Sequence, residues 1–517
     1  MLFWFLMPLG GILLAVVLHD VFQSRHAILH NFPIIGHFRY WIEAIGPELR
    51  QYVVTNNDEE RPFSRDQRRW VYTSSKQANN LFGFGSDNDL EAESNYLVIK
   101  HSAFPLEDPL PGTPQYDSKY RLPCAKVLGA PRGRAKAFRP GSIVNISAMS
   151  FGSLSSNAIM ALNDGAKLAG CMHNTGEGGL SPYHQRGADL IWQMGTGYFG
   201  ARSPEGRFSR EILKEKAAAH NVKAIEIKLS QGAKPGKGGI LPAAKVSREI
   251  SLIRGVPQGK DCISPSTHTE FHDADSLLDF VEGIAEATGL PVGIKSAVGE
   301  LSFWHDLVRL MEGGKRGVDF ITIDGGEGGT GAAPLVFSDH VSLPFKLGMS
   351  RVYSLFAERG LTGRIVFIGS GRLGFPEQAL LAFQLGCDMI NVAREAMLAI
   401  GCIQAQKCHT DHCPTGVATQ NRWLAAGLDP RVKSVRVANY LMVLRKEILQ
   451  LSRACGVPHP TLLPPDRLEI LDGQFGGAPV KEKFGYHHDW GYPTPADQEM
   501  IREVMAGLKA SGNAGGH

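Results

Sequence analysis

Three of the eight cysteines, Cys402, Cys408 and Cys413, fall within twelve residues, spaced C-x5-C-x4-C with Pro414 directly after the last. Thiolates are the soft ligands of iron–sulfur clusters, and closely spaced thiols on one loop or helix end can grip one cluster. The spacing is wider than the C-x2–4-C usual for structural zinc, although His409 or His412 could complete a Cys3His set. Packing of small buried thiols is the third reading that spacing leaves open.

Glycine clusters carry a second chemistry. Asp324-Gly325-Gly326-Glu327-Gly328-Gly329-Thr330-Gly331 and Gly369-Ser370-Gly371-Arg372 each follow an apolar strand-like run, the latter just before a helix starting near Pro376. Glycines at a strand end that feed a helix N-terminus present N–H groups to a phosphate. Ala393-Arg394 ends the next such run. Flavin mononucleotide (FMN) suits these loops best among phosphate-bearing cofactors, because a redox-capable cysteine segment follows. Lys228 in EIKLSQGAKPGKGG and Lys295 in GIKSAVGE lie inside otherwise apolar strands. A buried lysine either pairs, here with Glu226 or Glu300, or presents its cation to a flavin pyrimidine edge or a substrate carboxylate.

The elements that must position these groups recur rhythmically. Apolar runs occupy residues 142–150, 170–176, 188–197, 224–230, 291–297, 319–326, 364–371 and 388–394, several separated by amphipathic helical patterns such as SSNAIMALNDGAKLAG and DSLLDFVEGIAEATG. Eight strands alternating with helices over about 250 residues predict an α/β (β/α)8 TIM barrel with functional groups at the strand C-terminal ends. A doubly wound sheet is the competing architecture, but no strand opens into a G-x-G-x-x-G helix start.

Of the 517 residues, 43% are hydrophobic and 20% charged, with net charge +3, so nothing points to nucleic acid. Eight cysteines in so long a chain do not resemble a disulfide framework. Met1 to Leu18 is uncharged and predicts an uncleaved membrane anchor over residues 1–22, at the lower limit of a bilayer span. Arg25, Arg39 and Arg50 follow it, which predicts a single-pass protein with its body facing the cytoplasm. Residues 23–139 form a membrane-proximal and linker region that packs on the barrel, with PLEDPLPGTP as punctuation, 140–430 the barrel with the cysteine segment, and 431–517 a C-terminal helix and tail. His487 and His488 lie in that tail, which reads as a surface extension.

The segments SAMSFGSLS, HNTGEGGLSP, EIKLSQGAKPGKGG, ISPSTHTEF, DGGEGGTGAAP and GCIQAQKCHTDHCPTGVATQ, in this order, closely resemble the synthase domain of glutamate synthase over about residues 140–425. The resemblance implies FMN and a three-iron, four-sulfur (3Fe-4S) cluster held by Cys402, Cys408 and Cys413. It implies FMN contacts from Ala148, Met149, Ser150 and Lys295. It also implies phosphate contacts from the Gly325–Gly331 loop (Gly325, Gly326, Gly329, Gly331) and from Gly369, Ser370, Gly371 and Arg372. Lys228, Gln231 and Lys234 match the segment where the family reads 2-oxoglutarate, whose imine reduced FMN converts to glutamate.

The chain departs from that family in lacking a nucleophilic cysteine after Met1, a glutaminase domain, a C-terminal β-helix and a dinucleotide-binding domain. These departures imply ammonia that is free or delivered by a separate amidotransferase subunit, and electrons from another protein through the cluster. Lys237 in KPGKGG stands where the family commonly has glutamate, and GRLGFP replaces a GQLKTG-like loop. Two other functions stay open: amination with a substituted amine, as in N-methylglutamate synthase subunits, and a membrane-bound flavin and iron–sulfur electron-transfer subunit.

Overall fold

The computed structural model describes residues 2–23, 25–113 and 116–512, without the side chains of 2–6, 9 and 507–512. Two compact units form, Met1–Arg69 and Trp70–His517.

In the larger unit eight parallel strands close a barrel: β1 (Val144–Ile146), β2 (Met172–Asn174), β3 (Asp189–Met194), β4 (Val222–Lys228), β5 (Val292–Ser296), β6 (Phe320–Asp324), β7 (Val366–Ser370) and β8 (Met389–Val392). Each pairs with its neighbour in chain order, and β8 returns to β1 through Ile390 opposite Val144. All eight expected runs are therefore strands of one barrel. One further strand pair interrupts the rhythm between β4 and β5 and is too short to enter it (Ile240–Leu241 with Cys262–Ile263).

Local chemistry starts and stops the intervening helices. The Ser155 hydroxyl caps Ser156–Ala169 by accepting from the Ala158 N–H, and Gly170, left-handed at φ 67°, ends it. Asp273 and Ser276 form a reciprocal capping box before Ala274–Thr288. The long helix Pro430–Ala454 crosses Ser156–Ala169 so closely that a Cβ on Gly165 would lie 2.0 Å from Val437 Cγ1.

Inside the barrel the fully buried Glu226 accepts from Asn174 Nδ2 (2.8 Å), Gln193 Nε2 (2.7 Å) and Thr322 Oγ1 (2.7 Å), tying β4 to β2, β3 and β6. Removing the carboxylate would leave three buried donors without an acceptor, at about 1–3 kcal/mol each. Glu226→Ala is expected to lose about 3 kcal/mol or more in urea unfolding, and Glu226→Gln, which keeps one carbonyl oxygen, markedly less.

The segment just before the barrel packs against it. Arg134 donates to Glu282 (2.6 Å) and Asp319 (2.9 Å), and Lys126 to Asp388 (3.1 Å), so this stretch covers the strand N-terminal ends. The tail is likewise packed rather than a surface extension. Leu468–Leu471 pairs antiparallel with Leu97–Ile99 and Gly477–Pro479, and the buried Tyr486 stacks on Tyr353 and donates to Leu385 O (2.8 Å). His487 and His488 are exposed.

In the smaller unit, helices Leu2–Phe22, Ala27–Asn31 and Ile35–Leu49 run in succession. No helix among the described residues is long and apolar enough to cross a membrane. This corrects the single-pass anchor over residues 1–22 and, with it, the cytoplasm-facing orientation read from Arg25, Arg39 and Arg50. Met1 lies outside the described residues, and Pro8, Gly10 and Gly11 sit within the helix. The physical reason lies at the helix end: Asp20 is fully buried, accepting from the Ile34 N–H (3.0 Å) and bonded to His37 Nε2 (2.9 Å). The polar last turn is folded back into protein instead of continuing an apolar span of about 20 residues.

Candidate functional site

Lys228 is the last residue of β4, and its ammonium leaves the barrel mouth toward Glu177 Oε1 (2.8 Å) and Gln231 Oε1 (3.3 Å). Glu177 comes from the loop after β2. Gly176, left-handed at φ 65°, presses that loop on the loop after β1, where a Cβ would lie 2.7 Å from Ser150 N. Neither of the expected pairings forms: Glu226 is engaged inside the barrel, and Glu300 accepts from the Ser302 N–H (2.7 Å). Lys295 instead pairs with Asp324 (3.4 Å), both buried.

Two more cations face the same carboxylate. Lys234 is buried and donates to Ala332 O (2.9 Å); burial, reinforced by Lys228 and opposed by Glu177, lowers its pKa to about 8. Arg254, also buried, ends the helix Arg248–Arg254 and donates to Phe151 O (3.1 Å) and Ser150 Oγ (3.4 Å), with its guanidinium 5.3 Å from the Phe199 ring centre. Burial alone would raise the Glu177 pKa, but Lys228, Lys234 and Arg254 hold it below the usual carboxylate value. His268 fixes the backbone beneath: Nε2 donates to Lys228 O (2.9 Å), so Nδ1 accepts from Tyr198 OH (2.8 Å). Burial keeps that imidazole neutral by lowering its pKa.

The residues expected to meet a flavin line the same mouth. Ala148, Met149 and Ser150 follow β1, where His184 Nε2 donates to Met149 O (3.2 Å). Asp324 Oδ2 accepts from the Gly232 N–H (3.0 Å), and a Cβ on Gly232 would run into Gly325 O at 1.9 Å. Gln231 Nε2 donates to Gly329 O (2.8 Å), so the segment after β4 and the Gly325–Gly331 loop are in contact. The amides of Gly325, Gly326 and Gly328 already donate to Ser370 O, Leu343 O and Gly325 O. The loops after β7 and β8 hold Gly371 at φ 132°, Arg372 at φ 53°, Ala393 and Arg394, with Ser370 opposite Asn391 in the paired strands. Arg394 also abuts Gly329, whose Cβ would lie 2.7 Å from Arg394 Cδ.

The cysteine segment leaves the helix Arg394–Ile400 at Gly401, and left-handed residues Gln404, Gln406 and Asp411 wind it into a loop. Burial raises the Cys408 pKa, Cys413 raises it further, and Lys245 and Arg394 oppose the rise. Cys408 and Cys413 are thus electrostatic neighbours, soft sulfur donors with the Lys245 and Arg394 cations offsetting part of that rise. Among the described residues, these cysteines with His409 or His412 do not bring their donor atoms within 4.8 Å of one another, as one zinc ion would require.

Sequence reasoning missed Glu177, Arg254, Lys245 and the pairing role of Asp324. Glu177 and Asp324 sit in quoted glycine-rich motifs, a signal that could have found them. Arg254, at the end of SREISLIR, has no local mark that separates it from a surface arginine; only the fold buries it.

A family model described as the conserved region in glutamate synthase matches residues 133–458. The glutamate synthase large subunit-like protein YerD of Bacillus subtilis (strain 168) is 39% identical over 475 residues, covering 86% of this chain and 90% of that protein. The archaeal glutamate synthase [NADPH] of Methanocaldococcus jannaschii is 37% identical over 318 residues, covering 61% of this chain and 59% of that protein. Among solved structures, a mandelate oxidase mutant with a monooxide FMN adduct aligns with TM-score 0.42 and 13% identity, covering 84% of this chain and 99% of that chain.

Proposed function

The chain belongs to the glutamate synthase family of oxidoreductases, and from that premise we propose that it reduces the imine of 2-oxoglutarate, or a related 2-oxo acid, and ammonia. The observation that carries this reading is the charge at the barrel mouth. Three buried or half-buried cations, Lys228, Lys234 and Arg254, surround the single carboxylate of Glu177. The excess of two positive charges suits a dianionic 2-oxo dicarboxylate, since unpaired buried cations are costly. An electron relay without substrate has no use for that excess.

FMN, when bound, would supply the hydride. Residues present fit it: the loops after β7 and β8 carry glycines and two guanidinium groups for its phosphate, and Lys295 offers a buried cation beside β6. Cys402, Cys408 and Cys413 would hold an iron–sulfur cluster through which electrons enter. The substrate carboxylates are assigned to Lys234 and Arg254. Lys228 holds a proton at Nζ within 2.8 Å of Glu177, so it can donate to the keto oxygen as water leaves and orient the imine nitrogen. Glu177, kept ionised, accepts from the N–H of the amine. Gln231 and His268 fix Lys228 from its side chain and its carbonyl.

A pH limb follows. The Lys234 ammonium is complete below its pKa of about 8 and is lost as pH rises through it. If it binds a carboxylate, kcat/KM for the 2-oxo acid falls above about pH 8, by roughly tenfold or more at full deprotonation. Lys234→Arg, whose guanidinium stays charged, is expected to remove that limb; an unchanged limb reassigns it.

The deciding experiment is anaerobic. Protein reduced in the presence of FMN is followed by flavin absorbance as 2-oxoglutarate is added with ammonium, then with methylamine. Reoxidation that needs both keto acid and amine, with the matching amino acid formed, supports reductive amination and identifies the nitrogen source. Reoxidation by neither pair, in protein holding flavin and iron, rejects it.

A further inference from the structure

Lys245, at the end of the short helical turn Ala243–Lys245, is 2% exposed. Its ammonium donates to Ser153 O (2.6 Å), Cys408 O (3.1 Å) and Ala418 O (3.1 Å). A lysine has three N–H donors, and here all three meet neutral carbonyls. A buried ammonium coordinated only by carbonyls is costly unless a negative group lies nearby, and burial lowers the Lys245 pKa to about 8. The groups that favour the cation are Asp411, Cys408 and Cys413, while Arg254 opposes it.

The three carbonyls come from two segments: Ser153 from the loop after β1, and Cys408 and Ala418 from the cysteine segment. Other bonds lace the same two segments. Gln420 Nε2 donates to Gly152 O (3.1 Å) and Leu154 O (2.8 Å), and Ser155 Oγ to Gly416 O (2.7 Å). Those bonds are between neutral groups. Lys245 brings an ionisable donor into the lacing, bonded to the Cys408 carbonyl.

We propose that Lys245 is the buried counter-charge of the three-cysteine centre, a positioning residue that ties Cys408 to the first strand loop and raises the reduction potential of a cluster bound there. The proposal rests on the iron–sulfur reading above. One-electron reduction adds one negative charge to the thiolate-bound centre, and a fixed cation in a low-dielectric surround favours the more negative state.

The test uses the full chain with its iron and sulfide, in the wild type and in Lys245→Met and Lys245→Arg. Redox titration followed by electron paramagnetic resonance reads the ratio of reduced to oxidised centre at a fixed solution potential. In Lys245→Met that ratio is expected to fall at least tenfold, about 59 mV for one electron. Hydrogen exchange should quicken over residues 150–155 and 408–420. Lys245→Arg, which keeps the charge, should hold the ratio within threefold. An unchanged ratio in an iron-replete Lys245→Met protein overturns the proposal. If Lys245→Met loses its iron, retention in Lys245→Arg supports the charge role, and equal loss in both overturns it. If Lys245→Met does not fold, Lys245→Arg decides: a ratio within threefold supports the proposal, and a tenfold shift overturns it. Wild-type protein without iron or sulfide would instead reject the cluster reading beneath it.

Discussion

Lys228→Met is expected to lower kcat/KM for reductive amination at least a hundredfold while flavin stays bound. The ammonium bonds Glu177 at 2.8 Å and Gln231 at 3.3 Å, and it is the group that would carry the proton beside the reacting carbon. Losing one preorganised charged donor in such a site typically costs roughly 10²–10³ in rate. Methionine keeps the stem packed, so the loss reads the charge and the proton. Lys228→Arg restores charge without the ammonium geometry and should recover substrate affinity more than turnover. Steady-state kinetics with flavin content measured beside them check both. Activity within threefold of wild type in Lys228→Met would remove Lys228 from the mechanism.

Cys408→Ser should empty the protein of iron and sulfide. A hydroxyl replaces the soft thiolate that such clusters require, and Cys408 feels Cys413 and holds Lys245 at its carbonyl in the wound loop. Electron delivery from a protein donor should fall at least a hundredfold, because the hydroxyl cannot hold the entry point. Turnover of chemically reduced flavin should survive, since the Lys228, Lys234 and Arg254 cluster is untouched. Cys124→Ser and Cys387→Ser, at buried thiols raised in pKa by burial away from this loop, are the controls and should keep their iron. Zinc in place of iron, or iron unchanged in Cys408→Ser, would overturn the assignment.

The lysines show how far a sequence reaches. That Lys228 and Lys295 are buried and must find partners follows from their apolar strands, but the partners do not. Glu226 is two residues from Lys228 and is engaged within the barrel; Glu177, fifty-one positions away, is the true partner. Barrel closure brings β2 and β4 loops to one rim, and no one-dimensional pattern reports that distance. The glycine loop after β6 is similar: its position was legible, but its amides are taken by Ser370 and Leu343 carbonyls, a fact of packing. The N-terminal run misled because hydropathy counts residues without seeing that Asp20 folds inward to His37.

The sequence by itself determined the eight strands, their alternation with helices, the cysteine segment and the family. Each of these is written in local periodicity, spacing or short motif, so neighbouring residues suffice to read it. Tertiary structure alone decided that three cations meet one carboxylate at the barrel mouth, that the tail packs on Tyr353, and that Lys245 stands behind Cys408. Those facts depend on charges and carbonyls from distant segments sharing one low-dielectric space, where the energy of each group is set by neighbours the chain order does not name.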